Sequence, residues 1–232
     1  MTGGAAAYYD RIASGYDAEI DTAHNRIVRE CFWKCAESVL PPPSRILDFG
    51  AGTGIDARHF AELGHFVAAY DNSEGMLGVL RQRCAAQIET GSVAPVGGTL
   101  DEASAALARL APFDAILSNF AAFSTVDDLD GVLALFARVL RKGGLVLILI
   151  QNPWDSAQLG SRTFWKSLLT SPFTGLLRYE SKELGRVSHR RPRQIVRAAS
   201  RDFVPSARTE PVLDRTCFGR GSHFKLLELT RR

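Results

Sequence analysis

The chain has 232 residues, a formal net charge of +3 and an apolar fraction of 46%. This length and composition suit one α/β domain with a core of ordinary size. A nucleic-acid binder usually carries a stronger and more concentrated basic surface, so the mild charge disfavours that class. The longest aliphatic run, the six residues Leu145–Ile150, falls far short of the roughly 20 residues that span a bilayer. Residues 1–7 lack the basic and apolar segments of a secretory signal, so we expect a cytoplasmic protein.

The four cysteines show neither a CxxC pair nor a spacing typical of metal ligands. Cys31 and Cys35 are four residues apart, on one face of a predicted helix, with no histidine partner nearby. We therefore expect four reduced thiols and no bound metal.

The predicted elements alternate between helix and strand after a helical leader and the prolines at 41–43. Five apolar strands are expected, at Arg45–Phe49, Phe66–Tyr70, Val93–Leu100, Phe113–Ser118 and Leu145–Gln151. Helices are expected at Asn25–Leu40, Gly54–Leu63, Ser73–Ile88, Asp101–Leu110 and Asp127–Leu140, the last stopped by Gly143 and Gly144. Short apolar strands that alternate with helices predict a doubly wound, parallel sheet covered on both faces.

The C-terminal part follows another pattern. Phe203–Leu213 and His223–Thr230 read as two strands without an intervening helix, and are therefore expected to be antiparallel. Residues 152–191 form a long insertion that is rich in aromatic and basic residues, and we expect it to contain helices of its own. The predicted organisation is a single domain, 1–232, with a leader (1–43), a core (44–151), a lid insertion (152–191) and a last helix with the C-terminal strands (192–232).

The most informative motif is the loop that follows the first strand. Leu47–Gly54 runs from a strand through three alternating glycines, Gly50, Gly52 and Gly54, into a helix. Glycine permits a sharp turn and a close approach of a ligand to the main chain, and ligands in such sheets bind beyond the carboxyl ends of the strands. Asp71 ends the second strand, where its carboxylate can accept both hydroxyls of a ribose. The two features together predict a nucleoside-containing ligand.

A dinucleotide is the alternative ligand, since Gly52–Ala57 also fits the pattern G-x-G-x-x-A. Asp48 argues against it, because its carboxylate would face the pyrophosphate of a dinucleotide. S-adenosylmethionine has no phosphate, and its ammonium and sulfonium groups suit a nearby carboxylate.

These motifs resemble those of the class I S-adenosylmethionine-dependent methyltransferases, in particular the small-molecule, ubiquinone-biosynthesis-like branch. The resemblance covers nearly the whole chain, from the leader Tyr8–Asp17 through Leu47–Gly54, Asp71 and Phe113–Leu117 to Val139–Ile148. It implies a Rossmann-like, mostly parallel seven-stranded sheet with an antiparallel last strand and a lid insertion after strand five. It also implies S-adenosylmethionine as cofactor and S-adenosylhomocysteine as product.

The resemblance assigns roles to individual residues. The methionine end of the cofactor would lie near Tyr16, Asp48, Gly50, Ala51, Gly52 and Gly54. Asp71 would hold the ribose, with the adenine beside Asn72 and Met76, and the transferable methyl group would lie near Asn119 and Phe120. Members of the family often hold the adenine amino group with an acidic residue after strand three. Thr99 or Leu100 aligns there, so either Asp101 takes this role or main-chain and apolar contacts do.

Methyl transfer is an in-line displacement in which the protein mainly aligns the reactants and excludes water. A general base is needed only for a weakly acidic nucleophile; His24 in the leader and His189 in the insertion are the candidates. The insertion favours a small-molecule acceptor that is aromatic or anionic, although it could equally be a flap that only excludes water. The rival functions are a non-catalytic S-adenosylmethionine-binding protein, a methyltransferase acting on RNA or protein, and a nicotinamide-dependent oxidoreductase.

Overall fold

The computed structural model describes residues 3–120, 122–151, 177–181, 185–190, 192–206 and 224–232. Their strands are β1 Arg45–Phe49, β2 Phe66–Tyr70, β3 Val93–Val96, β4 Phe113–Ser118, β5 Leu140–Gln151, β6 Leu177–Ser181, β7 Gly185–His189, β8 Phe203–Pro205 and β9 Phe224–Arg231. Their α-helices are α1 Gly3–Ile20, α2 Ala23–Glu37, α3 Ile55–Glu62, α4 Glu74–Arg83, α5 Ala85–Glu89, α6 Leu100–Leu110, α7 Leu129–Val139 and α8 Pro192–Ala199, with a 3₁₀ helix at Ala122–Thr125. None of the described helices is long and apolar enough to cross a membrane.

Seven of the strands form one twisted sheet in the order β3-β2-β1-β4-β5-β9-β8. The strands β1 to β5 run parallel to one another, whereas β9 is antiparallel to both β5 and β8. The predicted doubly wound sheet with an antiparallel last strand is therefore confirmed. Its strand order reverses between β1 and β4, which is where α/β sheets of this kind form a ligand crevice.

The helices cover both faces of this sheet because successive strand residues point to opposite sides. In β1, Leu47 and Phe49 pack into the core under α6, α7 and α8, while Ile46 packs into the core under α2, α3 and α4. Both faces of the parallel strands are thus buried, which explains their nearly continuous apolar sequences.

Two boundaries differ from the sequence prediction for local reasons. Strand β3 ends at Val96 rather than Leu100, because Gly98 adopts a φ of 92° and Thr99 caps the N-terminus of α6. The helix before β5 ends at Val139 rather than at the glycine pair, and β5 begins at Leu140. The pairing of β4 with β5 accommodates the early start through a register shift.

The insertion after β5 is described only in part. Its described residues form a two-stranded antiparallel hairpin, β6 and β7, and they do not test the expectation of helices elsewhere in the insertion. Residues 152–176 and 182–184 lie outside the described residues. The buried Arg190, directly after β7, donates to the carbonyl oxygens of Phe123 (3.1 Å) and Val126 (2.7 Å) in the segment that follows β4.

The cysteines differ from expectation at one position. Cys31 is disulfide-bonded, whereas Cys35 and Cys84 are not. The expectation of four reduced thiols is therefore wrong. Spacing along the sequence carries no information about which cysteines meet in the fold.

Candidate functional site

A cavity lies at the carboxyl ends of β1, β2 and β4, at the reversal of strand order. It is a narrow cleft with a volume of about 60 Å³ that opens to solvent. It is lined by residues of α1, of the glycine loop, of the segment after β2 and of the segment after β4: Tyr9, Tyr16, Gly50, Gly52, Asp71, Met76, Asn119, Phe120 and Ala122.

The glycine loop forms one wall of the cavity with its main chain. The amides of Gly50 and Ala51 donate to the Tyr70 carbonyl oxygen at 2.8 and 2.9 Å, which turns the loop back over β2. Gly50 has a φ of 82°, and a Cβ placed on it would lie 2.5 Å from the Cβ of Ala122. Only glycine fits there, because any side chain would meet the opposite wall. Gly54 is required for another reason: a Cβ there would lie 2.6 Å from Leu80 of α4, outside the cavity.

Asp71 lies at one end of the cavity and is fixed by main-chain donors. Its two oxygens accept from the amides of Ser73 and Gly52, each at 2.9 Å. Burial raises the pKa of Asp71, and these hydrogen bonds only partly oppose the rise. Each carboxylate oxygen has room for a further donor, so the geometry suits a ligand with adjacent hydroxyl groups.

Three buried oxygen atoms around this edge of the sheet have no hydrogen-bond partner among the described residues. They are Asp48 Oδ2 in β1, Asn72 Oδ1 after β2 and Ser118 Oγ at the end of β4. Desolvation raises the pKa of Asp48 well above its usual range, and the charges of Asp56 and Asp71 raise it further. Buried polar atoms are nearly always satisfied in folded proteins. Asp48, in β1 just before the glycine loop, therefore has a carboxyl oxygen that could accept from a further donor.

Helix α1 closes the cavity from the leader. Tyr9 and Tyr16 face it and contact each other edge to face, with ring centroids 5.9 Å apart. Burial raises the pKa of Tyr16, so its phenol stays protonated and can donate.

Two aspartates, Asp10 and Asp17, fix α1 above this edge of the sheet. Asp10 accepts from the Ser73 hydroxyl at 2.6 Å and from the Gly75 amide at 2.8 Å, which lowers the pKa of Asp10. Further along, Asp17 accepts from the Thr53 hydroxyl at 2.6 Å and forms an ion pair with Arg83. The leader is thus joined to both the glycine loop and α4.

Asn119 and Phe120 form the opposite wall of the cavity. Asn119 is buried, and its amide joins Asp56 of α3 to the Phe120 main chain. Phe120 is the one residue other than glycine with a positive φ, 45°, in the described chain. Such strain in a bulky residue commonly marks a functional site.

Comparison with known proteins agrees with this site. A family model described as a methyltransferase domain matches residues 46–144, from β1 into β5. Over this part of the chain the protein is similar to methyltransferases.

The relatives of known function include two kinds of methyltransferase. The chain is 31% identical over 146 residues to a demethylmenaquinone methyltransferase of Mycobacterium sp. (strain KMS), covering 62% of this chain and 57% of that protein. It is 35% identical over 150 residues to a malonyl-[acyl-carrier protein] O-methyltransferase of Methylococcus capsulatus, covering 61% and 46%. The matches therefore span about half the length of these relatives.

Solved structures share the fold at low identity. The CcbJ methyltransferase of Streptomyces caelestis matches with a TM-score of 0.66 and 19% identity, covering 97% of both chains. The 1,6-didemethyltoxoflavin-N1-methyltransferase of Burkholderia thailandensis, solved with its acceptor and S-adenosylhomocysteine, matches with a TM-score of 0.62 and 21% identity, covering 98% of this chain and 88% of that one.

The structure brings together seven of the residues that the resemblance assigns to the cofactor: Tyr16, Gly50, Gly52, Asp71, Met76, Asn119 and Phe120. Asp48, Ala51, Gly54 and Asn72 belong to the same segments but are not among the lining residues. Met76 is both core and cavity wall, since it is 2% exposed.

Four other residues that the sequence suggested for the site are not among the described lining residues. Leu100 packs partly buried against the core and Asp101 is exposed in the first turn of α6, because β3 ends four residues before Leu100. His24 is exposed near the start of α2. The side chain of His189 lies outside the described residues, although its main chain ends β7. No group of three or more His, Cys, Asp or Glu within the described ranges could hold a metal.

The sequence reasoning missed two lining residues, Tyr9 and Ala122. Tyr9 precedes Tyr16 by seven residues, or about two helical turns, and so lies on the same face of α1. That spacing could have identified it. Ala122 carries no such signal, because its role depends on its distance from Gly50 across the cavity.

Proposed function

We propose that this chain binds S-adenosylmethionine in the cavity and transfers its methyl group to a small-molecule acceptor. The observation that carries the proposal is the cavity, in which a glycine wall lies opposite Asn119 and Phe120 with the Asp71 carboxylate at one end. Asp48 Oδ2, in β1 just before the glycine wall, is buried without a hydrogen-bond partner among the described residues. The residues present fit the cofactor, because a buried carboxylate without a partner suits an ammonium group and would repel a pyrophosphate.

In this proposal each part of the cavity has one task. Asp71 holds the ribose hydroxyls, Asp48 neutralises the amino group, and the glycine wall allows the main chain to approach the ligand. Tyr9 and Tyr16 on α1 exclude water from the methionine end. When bound, S-adenosylmethionine supplies an electrophilic methyl group, so the remaining work of the protein is alignment of the acceptor.

The names of the curated relatives support a metabolite or carrier-bound acceptor, since one acts on demethylmenaquinone and the other on a malonyl-[acyl-carrier protein]. We place the acceptor on the side of Asn119 and Phe120. His189 is retained as the candidate base, because Arg190, next in the chain, is held against the carbonyl groups of the segment after β4. His189→Ala is then expected to lower kcat for a hydroxyl acceptor while leaving affinity for S-adenosylhomocysteine unchanged; equal kcat would remove it as the base.

The proposal is tested by thermal unfolding with S-adenosylhomocysteine, with NAD as the rival ligand. At about 100 times the dissociation constant, a ligand stabilises by roughly 2.7 kcal/mol, which is about 5–11 °C for a domain of this size. Asp71→Asn should remove most of the shift. Asp114→Asn is the matched control, because Asp114 lies at the N-terminal end of β4, away from the cavity. This variant should retain the shift.

A shift with NAD instead would contradict the proposal, as would equal shifts in both variants. Each shift is measured against the ligand-free variant, because Asp71→Asn also disturbs two main-chain hydrogen bonds. Methyl transfer from S-adenosylmethionine to a panel of acceptors then separates an enzyme from a protein that only binds the cofactor.

A further inference from the structure

The conformation of the wall after β4 depends on one side-chain amide. Asn119 Nδ2 donates to Asp56 Oδ2 at 2.8 Å, and Asn119 Oδ1 accepts from the Phe120 amide at 2.8 Å. The amide therefore has a fixed orientation, since reversing it would set two donors against each other at the Phe120 end. It clamps the main chain of Phe120, whose φ of 45° is otherwise unfavourable.

Asp56 is itself held from the opposite side, by helix α2. Its other oxygen, Oδ1, accepts from Trp33 Nε1 at 2.7 Å and lies 3.6 Å from Arg29 Nε. The side chains of Asp56 and Arg29 are 12% and 10% exposed, so the pair is largely screened from water. Both carboxylate oxygens are thus occupied, one by the leader and one by the cavity wall.

Arg29 also reaches the same wall directly. Its guanidinium carbon lies 4.8 Å from the centroid of the Phe120 ring, while Phe224 of β9 contacts that ring edge to face at 5.8 Å. The ring and the main chain of Phe120 are therefore fixed by separate contacts. Arg29 contacts the ring, and Asp56 is connected to the main chain through Asn119.

We propose that Asp56 is a positioning residue for methyl transfer: through Asn119 it holds Phe120 in the conformation that forms the acceptor-side wall. This inference rests on the proposed function. Asp56 lines no part of the cavity, so its effect is transmitted through the Asn119 amide. A one-ångström displacement of a positioning group can lower a rate roughly 100-fold.

Asp56→Asn tests the clamp by replacing the acceptor that faces Asn119 with a donor. The new amide can still accept from Trp33, but its NH₂ then faces Asn119 Nδ2. Asn119 must turn over, and its oxygen leaves the Phe120 amide. The double variant Asp56→Asn/Asn119→Asp restores every hydrogen bond, because the carboxylate at 119 accepts both from the amide at 56 and from Phe120.

Trp33→Phe is the matched control for a purely structural role. It removes the hydrogen bond between α2 and Asp56 but leaves the bond to Asn119 intact, and its ring can keep the stacking against His59. If Asp56 only joined the leader to α3, Trp33→Phe would lower kcat, whereas Asp56→Asn, which keeps the bond to Trp33, would not.

The first readout is hydrogen exchange of the Phe120 amide in the ligand-free protein. We expect protection in the wild type and in Trp33→Phe, loss of at least tenfold in Asp56→Asn, and recovery in the double variant. The second readout is methyl transfer, for which kcat should fall roughly 100-fold in Asp56→Asn and recover at least tenfold in the double variant, while the acceptor KM changes less.

Unchanged protection in Asp56→Asn, or a double variant no better than the single one, overturns the inference. So does lost protection with unchanged kcat. If the wild type binds no S-adenosylhomocysteine, the proposed function fails instead, and the exchange result still shows whether the clamp exists.

Discussion

The two walls of the cavity are built in different ways. The glycine wall comes from one continuous segment and is fixed through its own main-chain amides. Those of Gly50 and Ala51 donate to the Tyr70 carbonyl oxygen, and that of Gly52 donates to the Asp71 carboxylate. The wall after β4 is fixed by side chains from distant parts of the chain, since Asp56 lies 63 residues from Asn119 and 23 from Trp33.

Under the proposed function, this difference separates the part of the site that holds the cofactor from the part that holds the acceptor. A wall of main chain has fixed geometry and tolerates few substitutions, which suits a cofactor that is common to a whole family. A wall held by side chains can change shape through single substitutions without disturbing the sheet. We therefore expect variants of the glycine wall to lose affinity and variants of the other wall to lose rate.

The largest expected effect breaks the glycine wall. Gly50→Ala places a Cβ against Ala122, and we expect affinity for S-adenosylhomocysteine to fall at least roughly 100-fold, about 2.7 kcal/mol. Gly64→Ala is the matched control, because Gly64 has a φ of 89° but no atom within 4 Å of its Cβ. Both variants carry the cost of left-handed alanine, and calorimetric titration should show lost affinity only in Gly50→Ala. Similar losses in both would mean that main-chain strain, not the cavity, governs binding.

A second test concerns the carboxyl group of Asp48, in β1 just before the glycine wall. Asp48→Asn should weaken S-adenosylhomocysteine binding about tenfold, because an amide cannot neutralise the amino group of the ligand. Since the pKa of Asp48 is raised in the native protein, its contribution to stability is present at low pH and is lost as pH rises through that pKa. The ligand-free variant should therefore be more stable than the wild type at alkaline pH, as measured by urea unfolding across pH.

The pKa of Asp114 is shifted in the opposite direction, so this residue serves as the comparison for Asp48. Partial burial alone would raise the pKa of Asp114, but hydrogen bonds from the Arg45 amide and the Arg141 side chain outweigh it and lower the pKa. Its stabilising contribution is therefore present at neutral pH and is lost on acidification. Asp114→Asn should lower stability at neutral pH without changing ligand affinity. A neutral-pH loss of stability in both variants would contradict the assignment of Asp48 to a ligand.

The smallest expected effect concerns the leader, which contacts the glycine wall. Asp17→Asn removes the ion pair with Arg83 and weakens the contact with Thr53. Helix α1 should therefore be held less firmly over the cavity. We expect affinity for S-adenosylhomocysteine to fall roughly three- to tenfold, with a loss of stability of about 1 kcal/mol or less, because the pair is partly exposed. Arg81→Gln, which breaks the more exposed pair with Glu74, should change neither quantity measurably.

The same contrast explains how far the sequence predicts the molecule. The parallel sheet, the glycine loop and Asp71 follow from local signals: apolar strands, glycines at alternate positions and an acid at a strand end. Asp56, Trp33 and Arg29 show no such signal, because their roles arise only when α2, α3 and the segment after β4 meet. The prediction that Leu100 or Asp101 lies beside the adenine stays a prediction. It assumed that β3 extends to Leu100, whereas β3 ends at Val96, before Gly98.

The most direct measurement is a crystal structure of the protein with S-adenosylhomocysteine. The account predicts the ligand between the glycine wall and α1, with its ribose hydroxyls on Asp71 and its amino group nearest Asp48. A ligand bound elsewhere, or one in the cavity whose ribose avoids Asp71, would contradict it.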